Sequence, residues 1–182
     1  MHKGIQHTIN FVNDDAFERA ETIMKYLKTS DKLLLIDYSV YLDIGTVDKI
    51  FTNFDNFGCL VFPCVLEGVN WSAFKEKLNT TEPSNQIALE FDTTLGQKLG
   101  ESMYKVIKTN PRCWIMDSKT IVRSLRERKG DILKLPARNN EIFQRLIERG
   151  VKICAYTACR LTITYPHECL SNILESAGVK SG

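Results

Sequence analysis

Leu33-Leu34-Leu35-Ile36-Asp37-Tyr38-Ser39-Val40 is the stretch on which the reading of the fold turns. Its four consecutive apolar residues lack the alternation of a half-exposed strand and match a short strand buried on both faces. Upstream, Asp15-Ala16-Phe17-Glu18 has capping-box spacing, and Phe17, Ala20, Ile23, Met24 and Leu27 continue it at helical spacing. Downstream the pattern predicts a helix near 46–54, a strand at 59–63 and a helix near 69–78 carrying Trp71, Phe74 and Leu78. Residues 79–85 read as a loop. A long helix is expected from Thr94 to Lys108, with Leu95, Leu99, Met103 and Val106 on one face and Thr94 with Gln97 as its capping box. Cys113–Met116 reads as another buried strand, followed by a helix from Lys119 to Arg128 and a connector to Pro136. Asn140 is placed to cap a helix bearing Ile142, Phe143, Leu146 and Ile147 that stops at Gly150. Strands at 151–156 and 161–165 and a helix from Pro166 to Gly178 complete the pattern. Strands alternating with helices predict an α/β fold: a three-layer, Rossmann-like domain with a mainly parallel sheet and helices on both faces. The 182 residues fit one domain, 1–182, with 1–30 as a helical N-terminal extension and 119–138 as a basic insertion.

Composition narrows the function classes. Apolar residues make up 43% and charged residues 25%, which excludes a disordered or fibrous chain. Twenty-four Lys and Arg against twenty-two Asp and Glu leave a formal charge of +2, too small to mark a bulk nucleic-acid binder. No apolar run reaches the length of a membrane span, so no membrane partner is expected. Six cysteines lie mostly inside apolar runs, and Met1-His2-Lys3-Gly4 lacks a signal-peptide core. Both features point to buried thiols in the cytoplasm or another reducing compartment. The chain has no G-x-G-x-x-G after a strand, no P-loop and no G-x-S-x-G elbow.

Carboxylates at element ends form the leading constellation. Asp37 and Asp117 each end a strand, Asp92 precedes the expected long helix, and Glu67 follows the strand that ends in Pro63. In a parallel sheet, ligands bind beyond the carboxyl ends of strands, so these acids are expected to share one crevice. Converging carboxylates repel unless a cation neutralises them, and Mg²⁺ or Mn²⁺ prefers such oxygen ligands. Taken singly, a strand-end Asp has a structural reading as the cap of the following helix or a turn residue, and Asp92 one as an ordinary helix cap. After Asp117 come Lys119, Arg123, Arg126, Arg128, Lys129, Lys134 and Arg138, opposed only by Glu127 and Asp131, a local excess suited to a phosphate backbone. The structural alternative is a solvated helix face.

Asp37-Tyr-Ser-Val-Tyr-Leu, Phe62-Pro63-Cys64-Val65-Leu66-Glu67, Asp92-Thr-Thr-Leu and Trp114-Ile-Met-Asp117 together resemble PIN and NYN domain nucleases over residues 32–178. The resemblance implies a metal-dependent phosphodiesterase or ribonuclease. Asp37, Asp92 and Asp117 would be its catalytic residues, and with Glu67 they would hold Mg²⁺ or Mn²⁺. Lys119, Arg123 and Arg126 would guide RNA or another nucleic acid. Ser39 stands where Asn is common in that family, and Lys119 where many members carry a second acid. These departures are what a degenerate member that only binds nucleic acid would show.

The last third resembles a second family. Leu146-Ile-Glu-Arg-Gly-Val-Lys-Ile followed by Cys154 and Cys159 is similar to DsrE-like sulfur-relay proteins. That resemblance implies Cys159 as a persulfide carrier, with Arg160 beside it. The family's Gly-rich surroundings of the cysteine are missing here. A non-catalytic assembly module, with a protein partner or a second copy of the chain, is the third class.

Overall fold

In the computed structural model, residues 6–43, 45–47, 57–66, 72, 75–76, 89–127 and 130–164 are described. In chain order the elements are α1 (Ala16–Tyr26), β1 (Lys32–Ile36), β2 (Val40–Leu42), β3 (Cys59–Val61), β4 (Thr93–Gly100), β5 (Met103–Thr109), β6 (Cys113–Asp117), α2 (Ser118–Leu125), α3 (Asn139–Glu148), β7 (Ile153–Tyr156) and β8 (Leu161–Ile163). Six strands form one sheet in the order β1-β6-β3-β7-β5-β4, and β2 pairs with β8 in a separate antiparallel ribbon. Only β3 and β7 run parallel; the other four neighbouring pairs are antiparallel. The fold is thus mixed α/β, and the expected mainly parallel sheet is corrected to a mostly antiparallel one.

Alternation along the central strands divides the core into two faces. Cys59 and Val61 of β3, with Trp114 and Met116 of β6, face the helices. There they meet Ile23 of α1, Ile121 and Leu125 of α2, and Ile142, Phe143 and Leu146 of α3. Trp114 and Phe143 stack edge to face, centroids 4.7 Å apart at 64°, an arrangement worth about 0.5–1.5 kcal/mol beyond the area it buries. On the opposite face Leu60, Phe62, Cys113, Ile115 and Cys154 pack against Val40 and Leu42 of β2 and Leu161 and Ile163 of β8. Among the described residues, helices therefore cover one face and a β-ribbon the other, where helices on both faces were expected. Gly58 enters β3 where a Cβ would lie 2.6 Å from Val151 Cγ1 and 2.9 Å from Thr120 Cγ2. Only a residue without a side chain lets β3, α2 and the start of β7 close together there.

Local signals explain the helices. Asp15 caps α1 by accepting from the Glu18 amide at 2.8 Å, as the capping box predicts. Asp117 caps α2 by accepting from the Thr120 amide at 2.8 Å. α3 is not capped by Asn140 as expected: it begins at Asn139, and its N-cap Arg138 makes no side-chain cap hydrogen bond. Asn139 Nδ2 donates to the Pro111 carbonyl at 3.4 Å, and the helix ends before Gly150 at φ +76°. The segment 119–138, read from the sequence as an insertion, supplies Ile121, Leu125 and Leu135 to the main core. The expected helix over 166–178, the loop 79–85 and most of the helices 69–78 and 46–54 lie outside the described residues.

The helix expected from Thr94 to Lys108 is instead the β4–β5 hairpin. Gly100 pairs with Met103, leaving Glu101 and Ser102 as the turn, and Ser102 takes the left-handed φ of 57°. Gly96 and Gly100 weaken a helix here, and Val106, Ile107 and Thr109 favour a strand. A left-handed non-glycine residue costs roughly 1–2 kcal/mol, which Gly would relieve. Ser102→Gly should therefore raise the urea midpoint, or leave it unchanged after glycine's larger chain entropy is counted. A helical Ser102 would give the opposite sign, a loss of about 0.5 kcal/mol.

Candidate functional site

Antiparallel pairing of β1 with β6 decides which carboxylates meet. Lys32 is opposite Asp117 and Ile36 opposite Cys113, so Asp37 lies beyond the Cys113 end of β6. The Asp37 amide donates to the Arg112 carbonyl at 2.8 Å. Asp117 closes the other end of the same strand, and five extended residues at ~3.4 Å each set it about 17 Å from the Arg112 end. Its Oδ1 is occupied by the α2 cap. The structural reading of Asp117 as a cap is the one that applies, and it does not share a crevice with Asp37 and Asp92.

Asp92 does reach the Arg112 end, and there it is a structural clamp. Its Oδ1 accepts from the Cys64 amide at 3.1 Å and from Thr93 Oγ1 at 2.8 Å, and its Oδ2 accepts from the Arg112 amide at 3.2 Å. Its own backbone is tied as well, the amide to the Cys64 carbonyl and the carbonyl to the Asn110 amide, each at 2.9 Å. One side chain thus fastens the exit of β3, the start of β4 and the entry of β6. Burial pushes the Asp92 carboxyl above its ordinary value, opposed by the hydrogen bonds from Cys64, Thr93 and Arg112 and by the Arg112 charge. Asp37 is half-buried, and burial raises its carboxyl too, with Arg19 and Arg112 opposing and Asp14 adding to the rise. Among the described residues, no group of three His, Cys, Asp or Glu side chains is arranged to hold a metal ion. Of the residues expected to hold Mg²⁺ or Mn²⁺, the described Asp37, Asp92 and Asp117 do not come together, and Glu67 lies outside the described residues.

Lys119, Arg123 and Arg126 are exposed and belong to α2 and its C-cap, which spring from the Asp117 end of β6. Lys119 pairs with Asp31 at 3.5 Å, both side chains standing in solvent, a contact that adds little stability. No described helix is long and apolar enough to cross a membrane.

The thiols separate clearly. Cys59, Cys64, Cys113 and Cys154 are buried, whereas Cys159 is partly exposed. Burial pushes Cys154 up to about 11, with Lys152 opposing, and Cys64 up to about 12, with Asp92 adding to the rise. Cys154, one of the two candidate thiols, is therefore a packing residue of β7. Cys159 follows β7 and lines a cavity of about 460 Å³ beside Tyr156, Arg160 and Cys64. This cavity opens between the exit of β3, the start of β4 and the β2–β8 ribbon. The sequence missed Arg112, whose backbone joins Asp37 to Asp92, and Thr46, whose buried hydroxyl holds Arg160. Their only signal was an Arg directly ahead of a buried run and an isolated Thr, neither of which names its distant partner.

Comparison with protein-family models, with curated proteins and with solved structures finds no match to this chain. The function has to be argued from the site itself.

Because the folded Asp92 binds its proton more tightly than the unfolded chain does, its ionised form is disfavoured on folding. Its contribution to stability should rise as pH falls through the raised folded value towards the ordinary one, and level off below. Asp92→Asn lacks that titration. It also turns an amide donor towards one of the two clamped backbone N–H groups, at a cost of about 1–3 kcal/mol. Urea unfolding across pH should show the wild type's advantage over Asp92→Asn widening as the solution is acidified.

Proposed function

We propose that this chain is a cysteine-centred sulfur carrier in which Cys159 takes up and passes on a sulfane sulfur. One observation carries the reading: Cys159 is the partly exposed cysteine among the five described, and it opens into a cavity, while the other four are buried. A nucleophilic thiol needs access and nearby positive charge, and Arg160, the next residue in the chain, lines the same cavity. The phosphodiesterase reading has no comparable support, since Asp117 caps α2 at the far end of β6 and Asp92 is spent on two backbone amides.

In the proposed transfer, the Cys159 thiolate attacks the outer sulfur of a donor persulfide, R–S–SH. The donor S–S bond breaks, Cys159–S–SH forms and R–S⁻ leaves, so sulfur moves with no net oxidation. An acceptor thiolate removes the sulfur by the same exchange. Tyr156 and Arg160 line the same cavity as the thiol.

Incubation of the full chain with cysteine persulfide, followed by peptide mass spectrometry, tests this. The peptide holding Cys159 should gain one sulfur atom, the gain should vanish in Cys159→Ser, and it should persist in Cys154→Ser. Sulfur at Cys169 or at the buried cysteines but not at Cys159, or no gain at all, overturns the proposal.

A further inference from the structure

We infer that the cavity beside Cys159 is a binding site for a small amphiphilic monoanion: an apolar chain ending in a carboxylate, with Arg160 as its anion receptor. The site stands on shape, charge and positioning, and it does not require Cys159 to transfer sulfur. At about 460 Å³ the cavity is of small-ligand size. Its walls are chiefly apolar, with Pro63, Val65, Phe91, Leu95, Leu161 and Ile163 contributed by segments distant in sequence. Phe91 and Leu95 are exposed, 51% and 39%, so a ligand tail would remove apolar surface from water.

Arg160 is the sole charged residue among the twelve described residues that line the cavity, and none of the ion pairs among the described residues involves it. Its backbone is pinned from across the fold. The Arg160 amide donates to Thr46 Oγ1 at 2.9 Å, and Thr46 Oγ1 donates to the Arg160 carbonyl at 2.8 Å. Thr46 is 1% exposed, so a buried hydroxyl with both hydrogen-bonding roles filled fixes the residue that carries the charge. Asp43 holds Thr46 in turn, its Oδ1 accepting from the Thr46 amide at 2.6 Å. The guanidinium fork matches a carboxylate through two parallel N–H···O bonds. One guanidinium balances one negative charge, whereas a phosphate monoester brings nearly two. Among the described residues the walls offer no second cation, which favours the carboxylate.

Calorimetric titration of the full chain with octanoate, and with octan-1-ol as the uncharged analogue, tests the inference. Octanoate should bind the wild type, and Arg160→Gln should weaken it about ten- to hundred-fold, the range of a charge-assisted hydrogen bond. Arg160→Lys, which keeps the charge and loses the fork, should fall between the two. Octan-1-ol should bind weakly and equally to all three, and Leu161→Trp, which fills the cavity, should abolish octanoate binding. Sulfur gain at Cys159 is read separately by mass spectrometry, so loss of sulfur transfer and loss of octanoate binding are distinguishable. Failure of octanoate to bind, equal binding to wild type and Arg160→Gln, or equal binding of octan-1-ol and octanoate to the wild type overturns the inference.

Discussion

Everything in this fold depends on how β6 is paired. Its five residues sit between β1 and β3, antiparallel to both, with Cys113, Trp114, Ile115 and Met116 buried. Trp114 and Met116 carry the helix-side core, while Cys113 and Ile115 carry the core beneath the β2–β8 ribbon. The direction of this one strand also sorts the polar groups. It carries Arg112 to the end where Asp37 and Asp92 lie, and Asp117 to the end where α2 begins. Acids that would converge in a parallel sheet are thereby divided between two structural tasks, clamping and capping.

The sequence revealed elements better than their arrangement. Short apolar runs at 33–36, 59–61, 113–116 and 153–156 form strands because apolar residues in succession exclude both a polar face and a long helix. The run 33–36 nevertheless lies at the sheet edge, half-buried with Ile36 exposed, where burial on both faces was expected. The Asp15 capping box and the helices after Asp117 and Arg138 follow from local hydrogen bonding and periodicity. Strand direction has no such signature: a strand buried on both faces has the same composition whichever way its neighbours run. The Thr94–Lys108 segment misled because Leu95, Leu99, Met103 and Val106 satisfy a helical period. The turn that breaks it is Glu101-Ser102, with no Asn-Gly or Asp-Gly to announce a hairpin. Once that segment is a hairpin, it adds β4 and β5 to the sheet beside β7, antiparallel, where a crossover helix would have supported parallel strands.

The candidate site was legible to the same degree. Cys159 and Arg160 were visible as a thiol and a cation next to each other in the chain, but the walls around them were not. Pro63, Phe91 with Leu95, and Ile163 come from three separate segments, and the Thr46 hydroxyl acts on Arg160 from 114 residues away. Such contacts follow from topology and leave no local mark. Asp92 shows the reverse case. Its position ahead of a regular element was visible, yet only the structure shows that its oxygens are filled by the Cys64 and Arg112 amides and the Thr93 hydroxyl.

The central claim is that the accessible chemistry of the described fold lies at Cys159, with the other described thiols committed to the core. Site-resolved alkylation of the native protein with iodoacetamide, read by peptide mass spectrometry over time, tests it most directly. Cys159 should be modified well ahead of Cys59, Cys64, Cys113 and Cys154, which should react only at the rate of unfolding. Early modification of Cys113 or Cys154, with Cys159 protected, would contradict the β6-centred packing and the site together.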